Sequence, residues 1–184
     1  MFKTLGALAM GLAIAVSTAA AAPPERKDLQ IFNDVSKTVN RYVRFTIFDD
    51  VNANVHEGVV TLTGKVTMPY KRDEIAGRVA RIPGVRAVRD RLSVLPVSIN
   101  DEALRHRIAR AIYGNSAFWN YAAMVNPPIH IIVENSRVTL TGIVQSDVEK
   151  ALARSLATQF GVLSVTNDLK TDAEARAALE KFSH

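Results

Sequence analysis

The sequence predicts an α+β protein made of two tandem copies of a small αββαβ unit, each a three-stranded sheet with two helices on one face. Three observations predict it. The phrase Val60-Thr61-Leu62-Thr63-Gly64 returns 78 residues later as Val138-Thr139-Leu140-Thr141-Gly142, with a valine two positions beyond each glycine at Val66 and Val144. A repeat at fixed offset marks duplicated folding units. On either side of each phrase the apolar period changes from helical to alternating and back again. Each copy then reaches a Gly-Val pair, Gly84-Val85 and Gly161-Val162, that leads into one more strand-like run.

Residues 1–22 stand outside this repeat. Lys3 supplies a positive start, Leu5 to Val16 an uncharged apolar stretch, and the alanines before Pro23 a small-residue cleavage site, the pattern of a secretory signal peptide. The stretch is short of the ~20 residues a membrane span needs. With no cysteine among 184 residues, an exported product has neither disulfides nor a thiol to acylate, so it is not a lipoprotein. Loss of Lys3 lowers the net charge from +5 to +4. These features predict a periplasmic, mildly basic protein.

Residues 23–27 read as a flexible start. From Asp28, a candidate cap, Ile31, Phe32, Val35, Val39 and Tyr42 form a helical stripe. Its counterpart opens at Asp101 with Leu104, Ile108, Ala111 and Ile112, an offset of 73, so the second copy carries five extra residues between helix and hairpin. Two alternating runs then make a hairpin in each copy. Val51, Ala53 and Val55 precede His56-Glu57-Gly58-Val59 and the first phrase; Ile129, Ile131 and Val133 precede Glu134-Asn135-Ser136-Arg137 and the second. Gly64 and Gly142 close those strands. Tyr70 to Ile82 and Ser146 to Phe160 are the second helices, the latter opened by the capping box Ser146-Asp147-Val148-Glu149 and carrying a stripe that ends on Phe160. Gly84 and Gly161 are expected to end them in the left-handed region. Val88–Val94 and Val165–Lys170 are the last strands.

The expected organisation is 1–22 signal peptide, 23–27 flexible N-terminus, 28–94 first unit, 95–100 linker, 101–171 second unit and 172–184 C-terminal tail. In the tail, Asp172 to Phe182 has a small helical stripe of Ala175, Ala178, Leu179 and Phe182.

The element order, the V-T-L-T-G-x-V signature at Val60–Val66 and Val138–Val144, and the closing G-V-x-x-V-x-[DN]-x-L pattern at Gly84–Leu92 and Gly161–Leu169 resemble the BON domain (bacterial OsmY and nodulation) in two copies. The layout is most similar to the soluble periplasmic OsmY type. The resemblance implies an exported, non-enzymatic protein associated with the cell envelope, with osmotic or envelope stress and with phospholipid membranes. One departure is the hairpin turn: Asn-Gly is frequent in the family, and here Glu57-Gly58 and Asn135-Ser136 stand in its place.

No catalytic or cofactor pattern competes with this reading. His56, His106, His130 and His184 lack metal-ligand spacing, so no metal is expected. Asp49-Asp50 is matched by Pro127-Pro128 in the second copy, and a solvated strand entrance is expected there rather than an acid pair. There is no GxSxG, P-loop or GxGxxG. Asp90 and Asn167 recur at one position facing inward, where the simpler role is a side-chain bond to backbone and the other is a polar ligand pair.

Two surface features carry the functional expectation. Residues 71–91 hold Lys71, Arg72, Arg78, Arg81, Arg86, Arg89 and Arg91 against three acids, while the matching 148–168 sums to zero. Such a basic face suits anionic phospholipid headgroups in weak, salt-sensitive contact. Nucleic acid is not expected, since no aromatic residues interleave the basic ones. The insertion places Tyr113, Phe118, Trp119, Tyr121 and Met124 together, either as packing for a core or unit seam, which Ile132 on the outer strand face also suggests, or as a membrane or partner contact. The alternative to phospholipid binding is a chaperone-like or protein-interaction module whose envelope client docks on this insertion or on an open sheet edge. No cofactor is expected.

Overall fold

The computed structural model describes residues 27–180. The expected signal peptide, residues 23–26 and the tail's Phe182 lie outside the described residues. The first unit runs α1 (Asp28–Asn40), β1 (Asp50–His56), β2 (Val59–Val66), α2 (Pro69–Val79) and β3 (Ala87–Val94). The second runs α3 (Ile99–Tyr113), a 3₁₀ turn (Ser116–Phe118), α4 (Trp119–Ala122), β4 (Ile129–Glu134), β5 (Arg137–Val144), α5 (Asp147–Ala157) and β6 (Ser164–Thr171), followed by α6 (Asp172–Glu180). The sheets are ordered β1-β2-β3 and β4-β5-β6, each an antiparallel hairpin joined to a parallel third strand.

The repeated phrase forms the central strand of each sheet, paired on both sides. Val60, Leu62 and Val66 are buried with Ile31, Val35 and Val39 of α1, Ile75 and Val79 of α2, and Leu92 of β3. Val138, Leu140 and Val144 are buried with Leu104, Ile108 and Ile112 of α3, Ala153 and Ala157 of α5, and Leu169. Two helical stripes thus cover one side of each sheet, as a half-apolar strand pattern requires.

Gly64 and Gly142 do not close their strands. Each lies inside its strand at φ +121° and +117°, where a Cβ would meet the partner strand's backbone, 2.2 Å from Asp50 O and 1.8 Å from Pro128 O. Gly84 and Gly161 do adopt positive φ, +90° and +88°. However, α2 ends at Val79 and α5 at Ala157, so these glycines turn the connecting loops rather than cap helices. Phe160 consequently leaves the expected stripe and is exposed.

The aspartates at the helix starts also differ from expectation. Lys27 and Ser98 are the N-caps, and Ser98 Oγ accepts from Asp101 N. The carboxylates of Asp28 and Asp101 instead reach the hairpin turns. Asp28 accepts from Glu57 N and Gly58 N at 2.7 and 2.9 Å, and Asp101 from Asn135 N and Ser136 N at 2.8 and 2.9 Å. Both central residues of each turn have positive φ, the type I′ form, although three of the four are not glycine. One carboxylate therefore occupies the two amides that such a turn points outward. At α5 the capping serine is found as expected, Ser146 Oγ accepting from Glu149 N, while Glu149 itself accepts from Gln145 N at 2.8 Å.

The units meet where the loop before β1 crosses β4. Ile131 N donates to Ile47 O at 2.7 Å, His130 Nδ1 lies 2.6 Å from Asp49 O, and Thr141 Oγ1 donates to Asp50 at 2.9 Å. Lys65 is paired with Glu134 across the same seam. Ile132 is buried, although alternation places it opposite Ile131 and Val133.

Candidate anionic-surface site

Helix and strand periods divide the seven basic residues of 71–91 among different surfaces. Lys71 is buried and is no surface cation: its ammonium lies 2.6 Å from Asp49 and 2.7 Å from Thr67 Oγ1. Asp49, fully buried, is likewise no solvated strand entrance. It also accepts from the amides and hydroxyls of Thr46 and Thr67. Burial alone pushes its carboxyl upward, but the bonds from Lys71, Thr67 and Thr46 together hold it below the usual value. In the second copy, prolines stand where this acid would be, so the buried pair belongs to the first unit alone.

Arg72 Nε is bonded to Asp90 at 2.7 Å, and Asp90 accepts from Leu92 N at 2.9 Å. Asn167, its counterpart, donates to Lys150 O at 2.8 Å. The repeated polar position therefore ties β3 or β6 to the helix packed on it. Arg89 and Arg91 alternate with the inward Val88, Asp90 and Leu92, and so stand on the sheet face away from the helices. Arg86 is exposed just before β3.

Arg78 and Arg81 remain, and they have company that the sequence reading missed. At the C-terminal ends of α1 and α2 they face Lys37 and Arg41 across a cleft of about 330 Å³, with Asp34 and Thr38 on the α1 side. The Arg78 guanidinium sits 4.9 Å from the centroid of the Tyr42 ring, which fixes it over the cleft. Helix C-termini carry partial negative charge and stabilise cations placed there. Lys37 and Arg41 are one turn apart on the side of α1 away from its buried stripe, and projecting that helix would have shown the pair.

The insertion is divided as well. Phe118 and Tyr121 are buried in the second core, their rings stacked 6.1 Å apart, and are not contact residues. Tyr121 Oη donates to Glu149 at 2.7 Å and accepts from Gln145 N; burial and that carboxylate push its pKa up to about 12. Trp119 and Met124 are exposed. Beyond them, Asn126 Nδ2 donates to Asn40 O at 2.7 Å, joining the end of the insertion to the end of α1. Val43 and Val125, near these residues along the chain, are 91% and 97% exposed. Neither was singled out from sequence, because a lone exposed valine leaves no periodic signal.

A family model described as the BON domain matches residues 28–96 and again residues 100–173. The chain belongs to the BON domain family. BON domains are associated with the cell envelope or with phospholipids, and their known types are non-enzymatic. Two solved structures are distantly similar to the chain. One, from structural studies of CdsD, a structural protein of the type III secretion system of Chlamydia trachomatis, is 14% identical over 80% of this chain and 97% of that chain, with a TM-score of 0.30. The C-terminal domain of CdsD is 13% identical over 74% and 96%, with a TM-score of 0.26. Among curated proteins no relative matches. Among the described residues, no cluster of His, Asp and Glu could hold a metal ion, and no helix is long and apolar enough to cross a membrane.

Proposed function

We propose that this tandem BON protein is a non-enzymatic, periplasmic envelope protein that binds anionic phospholipid surfaces through the α1/α2 end of its first unit, in protection against osmotic or envelope stress. The observation that carries the reading is one juxtaposition. Four cations, Lys37, Arg41, Arg78 and Arg81, line a cleft at the end of α1, where Asn40 is bonded to Asn126, and Val43 and Val125, close by along the chain, are exposed. Cations for headgroup phosphates beside small apolar side chains for the interface are what peripheral attachment needs. At about 1 kcal/mol per cation the cleft contributes roughly 4 kcal/mol, a millimolar attraction, and Asp34 reduces it. The contact is therefore reversible, and it weakens as salt screens it.

Co-sedimentation with vesicles containing or lacking anionic lipid, at low and high salt, tests this. The expected result is binding that requires anionic lipid and is lost in high salt. It should fall about a hundredfold or more when Lys37, Arg41, Arg78 and Arg81 are all changed to Ser, and stay unchanged in Arg89→Ser/Arg91→Ser. Binding that ignores the four cleft substitutions would overturn the assignment.

A further inference from the structure

β3 is an edge strand of its sheet, and the charges on its outward face are all basic. Among the described residues it is bonded only to β2, and no strand pairs with the backbone groups on its other side. The β4 edge of the second unit is covered where Ile131 N meets Ile47 O. At β6, the strand corresponding to β3, α6 follows directly and Glu174 accepts from Thr171 N at 2.8 Å.

Arg89 and Arg91 project from β3 on the outer face of the sheet, exposed and, among the described residues, without an acidic partner. On a strand, residues two apart stand about 6.8 Å from each other, the repeat of a neighbouring extended chain. Register places Thr61 beside Arg89 and Thr63 beside Arg91, with Asn54 and Asn52 beyond. These rows carry short polar side chains and nothing large and apolar. An acidic side chain could lie across them, while an apolar partner would find no surface to bury. The outward residues of β6 are Thr166, Asp168 and Lys170, so its mixed charge offers no such selection.

We propose that β3 is a docking edge for an extended acidic segment of a partner protein, which adds as a fourth strand and places alternate Asp or Glu residues opposite Arg89 and Arg91. Main-chain bonds supply affinity in strand addition, and side chains at alternate positions supply choice. The same arginines also discourage two copies from pairing edge to edge. The experiment separates these roles.

The probe is a fluorescein-labelled peptide of about eight residues, close to a typical strand length, alternating threonine and glutamate. A peptide of the same composition with its glutamates grouped serves for comparison. Anisotropy should show the alternating peptide binding the purified protein more tightly than the grouped one. Arg89→Ser/Arg91→Ser should weaken it about tenfold, as loss of two cross-strand charge pairs implies. In hydrogen exchange, amides within Ala87–Val94 should gain protection when the alternating peptide is saturating. Equal binding of both peptides, or binding without protection of β3, would overturn the proposal. So would a double variant that self-associates in sedimentation while the native protein ignores both peptides, since the arginines would then only keep copies apart. Vesicle binding, which uses the other side of the unit, should be the same in this variant.

Discussion

A Cβ at position 142 would stand 1.8 Å from the carbonyl oxygen of Pro128, and one at position 64 would stand 2.2 Å from that of Asp50. Real side chains do not approach backbone so closely, and the positive φ adds strain for any L-residue. Gly142→Ala should therefore cost about 3 kcal/mol or more, and Gly64→Ala a similar amount, read as a lower urea midpoint at unchanged slope. A cost under about 1 kcal/mol would mean that the hairpin relaxes freely around the new methyl group. The glycines were visible in the sequence as repeated residues, but their reason was not, because it lies on the neighbouring strand. Asp49 was illegible for the same cause. Beside Asp50 it reads as a solvated pair, and only the fold brings Lys71, Thr46 and Thr67 around one of the two.

Among elements, the hairpin turns show how one device is kept while the residues around it change. Glu57-Gly58 and Asn135-Ser136 share no residue, yet both are type I′ turns with their amides bonded to an aspartate in the first turn of the unit's first helix. Asp101 is buried and Asp28 is partly exposed, so water can replace the second carboxylate more readily than the first. Asp101→Ala should cost about 2 kcal/mol in thermal or urea unfolding and Asp28→Ala about half of that. The reverse order would show that burial of the acceptor does not set its worth. Strand existence, pairing and the central place of the repeated phrase were legible because alternation writes them into the chain. Helix ends were less so: a glycine that looks like a stop signal at 84 or 161 serves the loop beyond. The basic cleft was half legible, since Arg78 and Arg81 fall in one charge-rich segment while Lys37 and Arg41 lie far upstream on α1.

Across the whole molecule, the two BON units meet at several places, the most crowded of them on β4. His130 is largely buried there, 5.2 Å from the Phe45 ring and bonded to Asp49 O. Burial lowers its pKa below the usual 6.5, although Asp49 and Asp50 act in the opposite direction. The unfolded chain takes up that proton near pH 6.5 and the folded one resists it. The stability tied to a neutral His130 is thus whole above pH 6.5 and is lost as pH falls through the folded pKa. The unfolding temperature should decline between pH 7 and 5, and His130→Gln should remove most of that decline; an unchanged slope would assign it to other groups. The sequence suggested a seam through Ile132 but could not say that a loop forms it. Because that loop lies in the first unit, it is synthesised ahead of the strand whose edge it will cover. The order of the two copies along the chain thus puts the covering loop before the edge it covers.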